Sequence, residues 1–329
     1  MSEGIEDGLM DMTKKLVRYV NEGRVVGSTE VMDEPLMAEK PDRSKIRTLE
    51  KVSYCGVHFW AVDCSTRTIK RANNWGIYLL RTSHASVRGR EVDWGYEECM
   101  CTVVGEAYVR RRYLQAMRLE QESKMALDLL RRTSEGNYLL LDGASYFGGE
   151  RKFWVSLYEE CEKNGIKLLA ISKQSPTLLD DRGRDFMAAT CMLSSFPRWF
   201  YYPVGKEANM HEHRYGNVSV VKLCEGSSRV FRCDIMEYLK DCDVHELLSP
   251  LTFLSEDPRC LGYPVTLWLA HDFSTPSDSK LLYYHDQVEE KLREAGLLDV
   301  LRREELSCNF PDELHGIKHP FEMELIDRV

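Results

Sequence analysis

The sequence predicts a mixed α/β fold, and three features lead to it. Apolar runs rich in β-branched and aromatic residues follow one another from Val52. Runs of helical period then alternate with short apolar runs. At 329 residues, 43% hydrophobic and 29% charged, the chain is long enough to bury one large core, and no part of it reads as a long linker.

Taken in order, Ile5, Leu9, Met12, Leu16, Tyr19 and Val20 share one face of a helix, and Gly23 follows at the expected C-cap. The acidic, proline-containing stretch from Gly27 to Lys45 reads as a connector. "VSYCGVHFWAVD", "IYLLRTSHASV" and "ECMCTVVGEAYV" then read as a three-stranded meander. A long helix is expected from about Arg110 to Arg132, leading to the strand "YLLLD". A helix around Phe153 to Asn164 and the strand "IKLLAIS" come next. Strand, helix, strand, helix, strand implies largely parallel pairing. Farther on, "WFYYP", "VSVVKL" and "SRVFRCDI" look like strands, "IMEYLKDC" like the start of a short helix, and "HDQVEEKLREAGLLDVLRREEL" like a C-terminal helix. A meander followed by alternating strands and helices is the element order of a ribonuclease-H-like fold: a mixed sheet with flanking helices and helical additions at both termini. The expected division is an N-terminal helix and connector over 1–45, one main domain over 46–310 and a tail over 311–329.

No run approaches the roughly 18 apolar residues of a membrane helix. The start of the chain lacks the basic end and apolar stretch of a secretory signal, so a cytoplasmic location is expected. The eleven cysteines are scattered, with Cys55, Cys191 and Cys260 in apolar runs, and read as buried reduced thiols. Cys99 with Cys101 and His211 with His213 match no zinc-ligand pattern. A net charge of −9 argues against coating nucleic acid by bulk attraction. Locally, however, Cys64 to Arg90 holds no acid, while Arg67, Lys70, Arg71, Arg81, Arg88 and Arg90 are all basic. That strip is either a phosphate-backbone contact or a solvated hairpin.

Asp63 and Asp142 each close an apolar run. At a strand end a carboxylate faces the crevice where α/β folds bind ligands, although an Asp there can also simply start a turn. Between them, Leu114, Arg118, Glu122, Met125, Ala126 and Leu129 share a helical face, which turns Glu122 toward the core. Glu120 lies about 200° round the helix from Glu122. A structural pairing of Glu122 with Arg118 at i−4 is the alternative. Two strand acids and one helix acid suit Mg²⁺ or Mn²⁺, and phosphodiester hydrolysis by a pair of such ions. No phosphate-binding G-x-x-x-x-G-K-[ST] loop or G-x-S-x-G elbow is present.

"AVDCSTR", the helix acid, "LLLDGAS", "LLAISKQS" and "GYPVTLWLAH", in this order, resemble the NurA-type nucleases of archaea and some bacteria. The resemblance spans about residues 50 to 275. It implies a manganese-dependent nuclease, a 5′ to 3′ exonuclease on single- and double-stranded DNA and an endonuclease on single strands. It further implies a homodimer acting with a hexameric HerA-type translocase in DNA-end resection and recombinational repair. By the resemblance Asp63, Glu122 or Glu120, and Asp142 are metal-binding acids. Lys173 would contact the scissile phosphate, and Tyr263 and His271 would complete the site, His271 as a late metal ligand or a proton donor. Cys64 departs from the family, which usually has Gly after the first Asp. The competing reading is a catalytically silent DNA-binding or scaffold subunit of a translocase complex.

Overall fold

The structure is a computed structural model and describes residues 36–147, 152–173, 178–205 and 213–314, with the side chains of 36–37 and 307–314 excepted. The expected N-terminal helix lies outside the described residues. The strands are β1 (Leu36–Met37), β2 (Ile46–Thr48), β3 (Phe59–Arg71), β4 (Trp75–Arg88), β5 (Glu91–Val104), β6 (Tyr138–Asp142), β7 (Lys167–Ser172), β8 (Leu178–Leu179), β9 (Trp199–Tyr201), β10 (Gly216–Lys222) and β11 (Phe231–Met236). The helices are α1 (Ala107–Leu130), α2 (Phe153–Lys163), α3 (Phe186–Leu193), α4 (Val244–Leu248), α5 (Val265–Ser274), α6 (Asp278–Glu294) and α7 (Leu298–Leu314).

Nine strands form one mixed sheet in the order β2-β9-β10-β11-β7-β6-β3-β4-β5. The segment β5-β4-β3-β6-β7 is the ribonuclease-H-like centre: an antiparallel meander, then two parallel pairings reached through α1 and α2. β11, β10, β9 and β2 extend it by antiparallel pairing. β1 and β8 form a separate parallel pair, so the connector read over 27–45 carries a short strand.

The meander strands are longer than their apolar runs, because Arg67, Lys70 and the acids of β5 occupy ladder positions. The first strand begins at Phe59 rather than Val52, and β5 ends at Val104 with α1 starting at Ala107, so the last residues of the run "ECMCTVVGEAYV" belong to the helix. Gly89, at φ 56°, supplies the left-handed residue of the two-residue β4–β5 turn. At the C-terminus the expected single helix is two, α6 and α7, divided at Gly296, whose φ of 69° ends the first. The "IMEYLKDC" stretch makes only one 3₁₀ turn, at Glu237–Leu239.

Two helices cover opposite faces of β3 and β4. Cys64, Tyr78 and Leu80 pack against Leu114 and Met117 of α1. On the other face Ser83 donates to the carbonyl of Ala270 in α5, and Ser65 donates to that of Ser274. A bulge between Thr68 and Lys70 then shifts the alternation by one residue. Lys70 is thereby carried to the face of α6 and α7, where Ile69, Ile77 and Leu79 pack on Leu281 and Val288. Arg71 is carried to the α1 face.

Candidate active site

β3 and β6 pair only as far as Ala61 and Leu140. Beyond that point β3 continues along β4 alone, so the sheet opens on its β6 side. Asp63 and Asp142 each stand two residues past the last pair, at the same level across the opening. Asp63 is therefore inside a long strand rather than at its end, a correction to the reading of its apolar run as a complete strand. Its position at the end of the parallel ladder still places it in the crevice.

Asp63 is buried, 8% exposed, and its Oδ2 lies 2.8 Å from His271 Nδ1 and accepts a hydrogen bond from Ser274 Oγ at 3.0 Å. Burial alone would raise this carboxyl. The His271 and Ser274 hydrogen bonds and the charge of Lys173 outweigh it and hold the group below the ordinary carboxylate range. α5 delivers both donors from one side, since His271 and Ser274 are three residues apart. Ser274 escaped the sequence reading; its i+3 spacing from His271 was the available signal.

Glu122 projects from α1 to the backbone of β3, where the Cys64 amide donates to its Oε1 at 3.1 Å and Arg118 stands at 3.5 Å. Burial, with the nearby charges of Asp63 and Asp142, pushes its carboxyl up to about 8 despite Arg118. Glu120 instead pairs with Lys124 at 2.8 Å and is no part of the cavity that Glu122 lines. Cys64 faces α1 with its thiol pushed up to about 12 by burial, an inert packing role that fits a Cys at this place.

Asp142 is open to solvent, with Lys173 Nζ at 2.7 Å from Oδ2 and the Tyr263 hydroxyl donating to Oδ1 at 3.4 Å. Tyr263 precedes α5, and burial together with the Asp142 charge raises its hydroxyl, which keeps it a neutral donor. The loop after Asp142 is clamped from behind. Fully buried Asp234 accepts from the Ser145 amide at 2.9 Å and hydroxyl at 2.8 Å, and holds Arg232 through two bonds of 2.7 Å. No local pattern announced that clamp, because its partners lie 89 residues apart.

Asp63, Glu122 and Asp142 line one cavity of about 580 Å³. Three carboxylates from three elements form an all-oxygen donor set suited to a hard divalent cation. A positive charge there would also relieve the unfavourable burial of ionised Glu122. Among the described residues no three His, Cys, Asp or Glu side chains are gathered tightly enough to close on an ion. Each acid is engaged by a basic group of the protein instead: His271 on Asp63, Arg118 on Glu122 and Lys173 on Asp142.

The basic strip read from 64–90 does not form one surface. Lys70 is buried between Glu289 at 3.0 Å and Glu305 at 2.9 Å, and Arg81 is buried against Glu98 at 2.6 Å. Both charges are neutralised inside the fold, because the ladder turns those positions toward α6 and α7 or toward the acids of β5. Arg67 faces Asp278 of α6 at 3.9 Å. Arg88 and Arg90 are exposed at the β4–β5 turn, and Arg88 lies five residues, about 17 Å, along β4 from Ser83, the partner of Asp63. Of the six, Arg71 lines the cavity. The cysteines among the described residues are free, and no helix there is long and apolar enough to cross a membrane.

The sequence matches no protein-family model and no curated protein. The structure is similar to the NurA nuclease from Sulfolobus solfataricus, with 16% identity and a TM-score of 0.63 over 90% of this chain and 98% of that one. A second NurA structure gives 11% identity and a TM-score of 0.53 over 90% and 97%. NurA bound to dAMP and manganese gives 11% and 0.50 over 84% and 94%. The chain shares the NurA fold along nearly its whole described length.

Proposed function

We propose that this chain is a NurA-type, divalent-metal-dependent deoxyribonuclease. The observation that carries the reading is the meeting of Asp63, Glu122 and Asp142, from two strands and a helix, on one cavity. The shared fold with NurA, one structure of which holds dAMP and manganese, supports the choice of substrate and metal.

Asp63, Glu122 and Asp142 would hold the metal, with Mn²⁺ the first choice and Mg²⁺ the second. A bound divalent ion would neutralise charge on the attacked phosphate and ease deprotonation of the attacking water. His271 and Ser274 keep Asp63 ionised and oriented. With Nδ1 engaged by Asp63, Nε2 of His271 is the nitrogen left to give a proton to the leaving oxygen. Lys173, 40% exposed beside Asp142, would turn its ammonium toward a phosphate oxygen and stabilise the charge there. Tyr263 steadies Asp142 as a neutral donor.

The finer activities, 5′ to 3′ exonuclease and single-strand endonuclease, and the partnership with a HerA-type translocase in end resection, extend from the family resemblance. The homodimer has further support in β5. This edge strand of the sheet exposes Val92, Trp94, Tyr96 and Met100, which a second copy would cover. Sedimentation at micromolar concentration tests it, and a monomer there contradicts it.

End-labelled single- and double-stranded DNA, incubated with the purified protein and Mn²⁺, Mg²⁺ or EDTA beside Asp63→Ala, tests the main reading. Metal-dependent degradation that the variant loses is expected. Absence of cleavage with every metal, from folded protein, would favour the silent scaffold subunit.

A further inference from the structure

The cavity that holds the three acids does not end with them. It continues between β3 and α1, which run antiparallel: Glu122 meets Cys64 at one end, and Arg110 donates to the carbonyls of Asn73 and Gly105 at the other. The lining of this trough is segregated by charge. Acids occupy the inner end, Thr66 and Thr68 of β3 face Arg118 and Gln115 midway, and Arg71 and Arg111 stand at the outer end. Arg111, Gln115, Arg118 and Glu122 are spaced by four, three and four residues, so they form a single polar stripe on α1. From Arg111 to Glu122 the stripe is about 16 Å long, the length of a few nucleotides of extended strand.

We propose that this trough binds the phosphate backbone of one DNA strand and leads it to the acids, with Arg111 and Arg71 as its outer phosphate contacts. Several observations converge on this ligand. Arginines set along a groove at helical spacing match a repeating anion, and the hydroxyl of Thr68 and the amide of Gln115 add neutral donors between them. Tyr78 and Leu114 give the floor an apolar stretch for bases or sugars. The inner acids Asp63 and Glu122 are each 8% exposed, at the bottom of a cavity of about 580 Å³, so a phosphate must be led inward to reach them. Arg110, buried and bonded to backbone carbonyls, fixes the start of α1 and with it the width of the trough. The bulge at Thr68/Lys70 is what brings Arg71 to this face.

The inference rests on the nuclease reading only for naming the ligand as DNA, and its test is independent of cleavage. Binding of a fluorescein-labelled oligothymidylate is followed by anisotropy in EDTA across a range of KCl concentrations, for the full chain, Arg111→Glu and Arg131→Glu. Arg131 caps the C-terminus of the same helix, is exposed, and is no part of the trough. Arg111→Glu is expected to weaken binding at least tenfold and to lower the slope of log affinity against log salt by about 0.7, the value of one single-strand phosphate contact. Arg131→Glu should leave both unchanged, and a blunt duplex should bind more weakly than the single strand. Unchanged binding by Arg111→Glu, or equal losses in both variants, would overturn the trough. Arg111-dependent binding without Mn²⁺-dependent cleavage by the unaltered protein would leave the trough standing and remove the nuclease reading instead.

Discussion

His271 Nδ1 lies 2.8 Å from Asp63 Oδ2, although 208 residues separate them. The contact joins the middle of a strand to the last turn of α5, and Ser274 from the same turn bonds the same oxygen. His271→Ala removes one of the two donors and is expected to reduce cleavage roughly 10- to 100-fold, the usual cost of losing an outer partner of a metal-binding group. His271→Asn, whose amide nitrogen can replace Nδ1, should restore the Asp63 contact but not proton transfer from Nε2. Metal affinity should therefore recover in His271→Asn while turnover stays low; recovery of both would remove the proton-donor role.

Asp63→Ala and Asp142→Ala should each abolish cleavage and leave single-strand affinity in EDTA within a few-fold of the parent. Both acids are at the inner end of the cavity, away from the outer arginines Arg71 and Arg111. Near-normal turnover by either variant would take that residue out of the site.

Glu122 sets a pH dependence. Its carboxyl titrates near 8 in the folded protein against an ordinary value of 4.5. Between these values the folded chain binds a proton that the unfolded chain has released, so metal-free stability falls as pH rises from about 4.5 to about 8. Metal uptake must displace the same proton, so Mn²⁺ affinity should climb up to roughly tenfold per pH unit until about pH 8. Thermal melts across this range and calorimetric Mn²⁺ titrations check the two halves. Glu122→Gln should flatten the stability profile, and a parent profile that is already flat contradicts the assignment.

Asp234→Ala should destabilise the protein by about 3–5 kcal/mol in urea unfolding, because it leaves Arg232 charged and unpaired in the interior. It also frees Ser145, and with it the loop that follows Asp142, so turnover should fall in protein that remains folded. A stability change below about 1 kcal/mol would mean that the pair is not buried as described.

Lys70 and Arg71 are adjacent in sequence but differ in role. Lys70→Ala leaves Glu289 and Glu305 without their shared cation and should cost about 3–5 kcal/mol while the DNA affinity of the folded protein stays the same. Arg71→Ala should weaken single-strand binding, and its cost in stability should be smaller than that of Lys70→Ala because Arg71 is only partly buried. Paired urea and anisotropy measurements separate them, and equal effects would contradict the bulge-determined facing.

Local pattern alone was enough for much of this molecule. The apolar runs and helical periods identified the central strands, α1, α2 and the order meander then βαβ, because burial on a strand or helix face leaves a period in the sequence. The three acids and Glu122 over Glu120 were legible for the same reason: helical phase turns Glu122 toward the core and Glu120 away from it. Strand lengths were not, since β5 is exposed along most of its length and carries little apolar signal. The split of the charge strip was not legible, because a one-residue bulge, which has no composition of its own, reverses which side Lys70 and Arg71 face, and because the pairing of β4 with β5 sets Arg81 against Glu98. The partners of each acid, His271 and Ser274 on Asp63, the Cys64 amide on Glu122, Lys173 on Asp142, and the Asp234 clamp behind Ser145, were decided by tertiary structure. They meet only where separate elements are brought into register by the sheet, and sequence periodicity describes one element at a time.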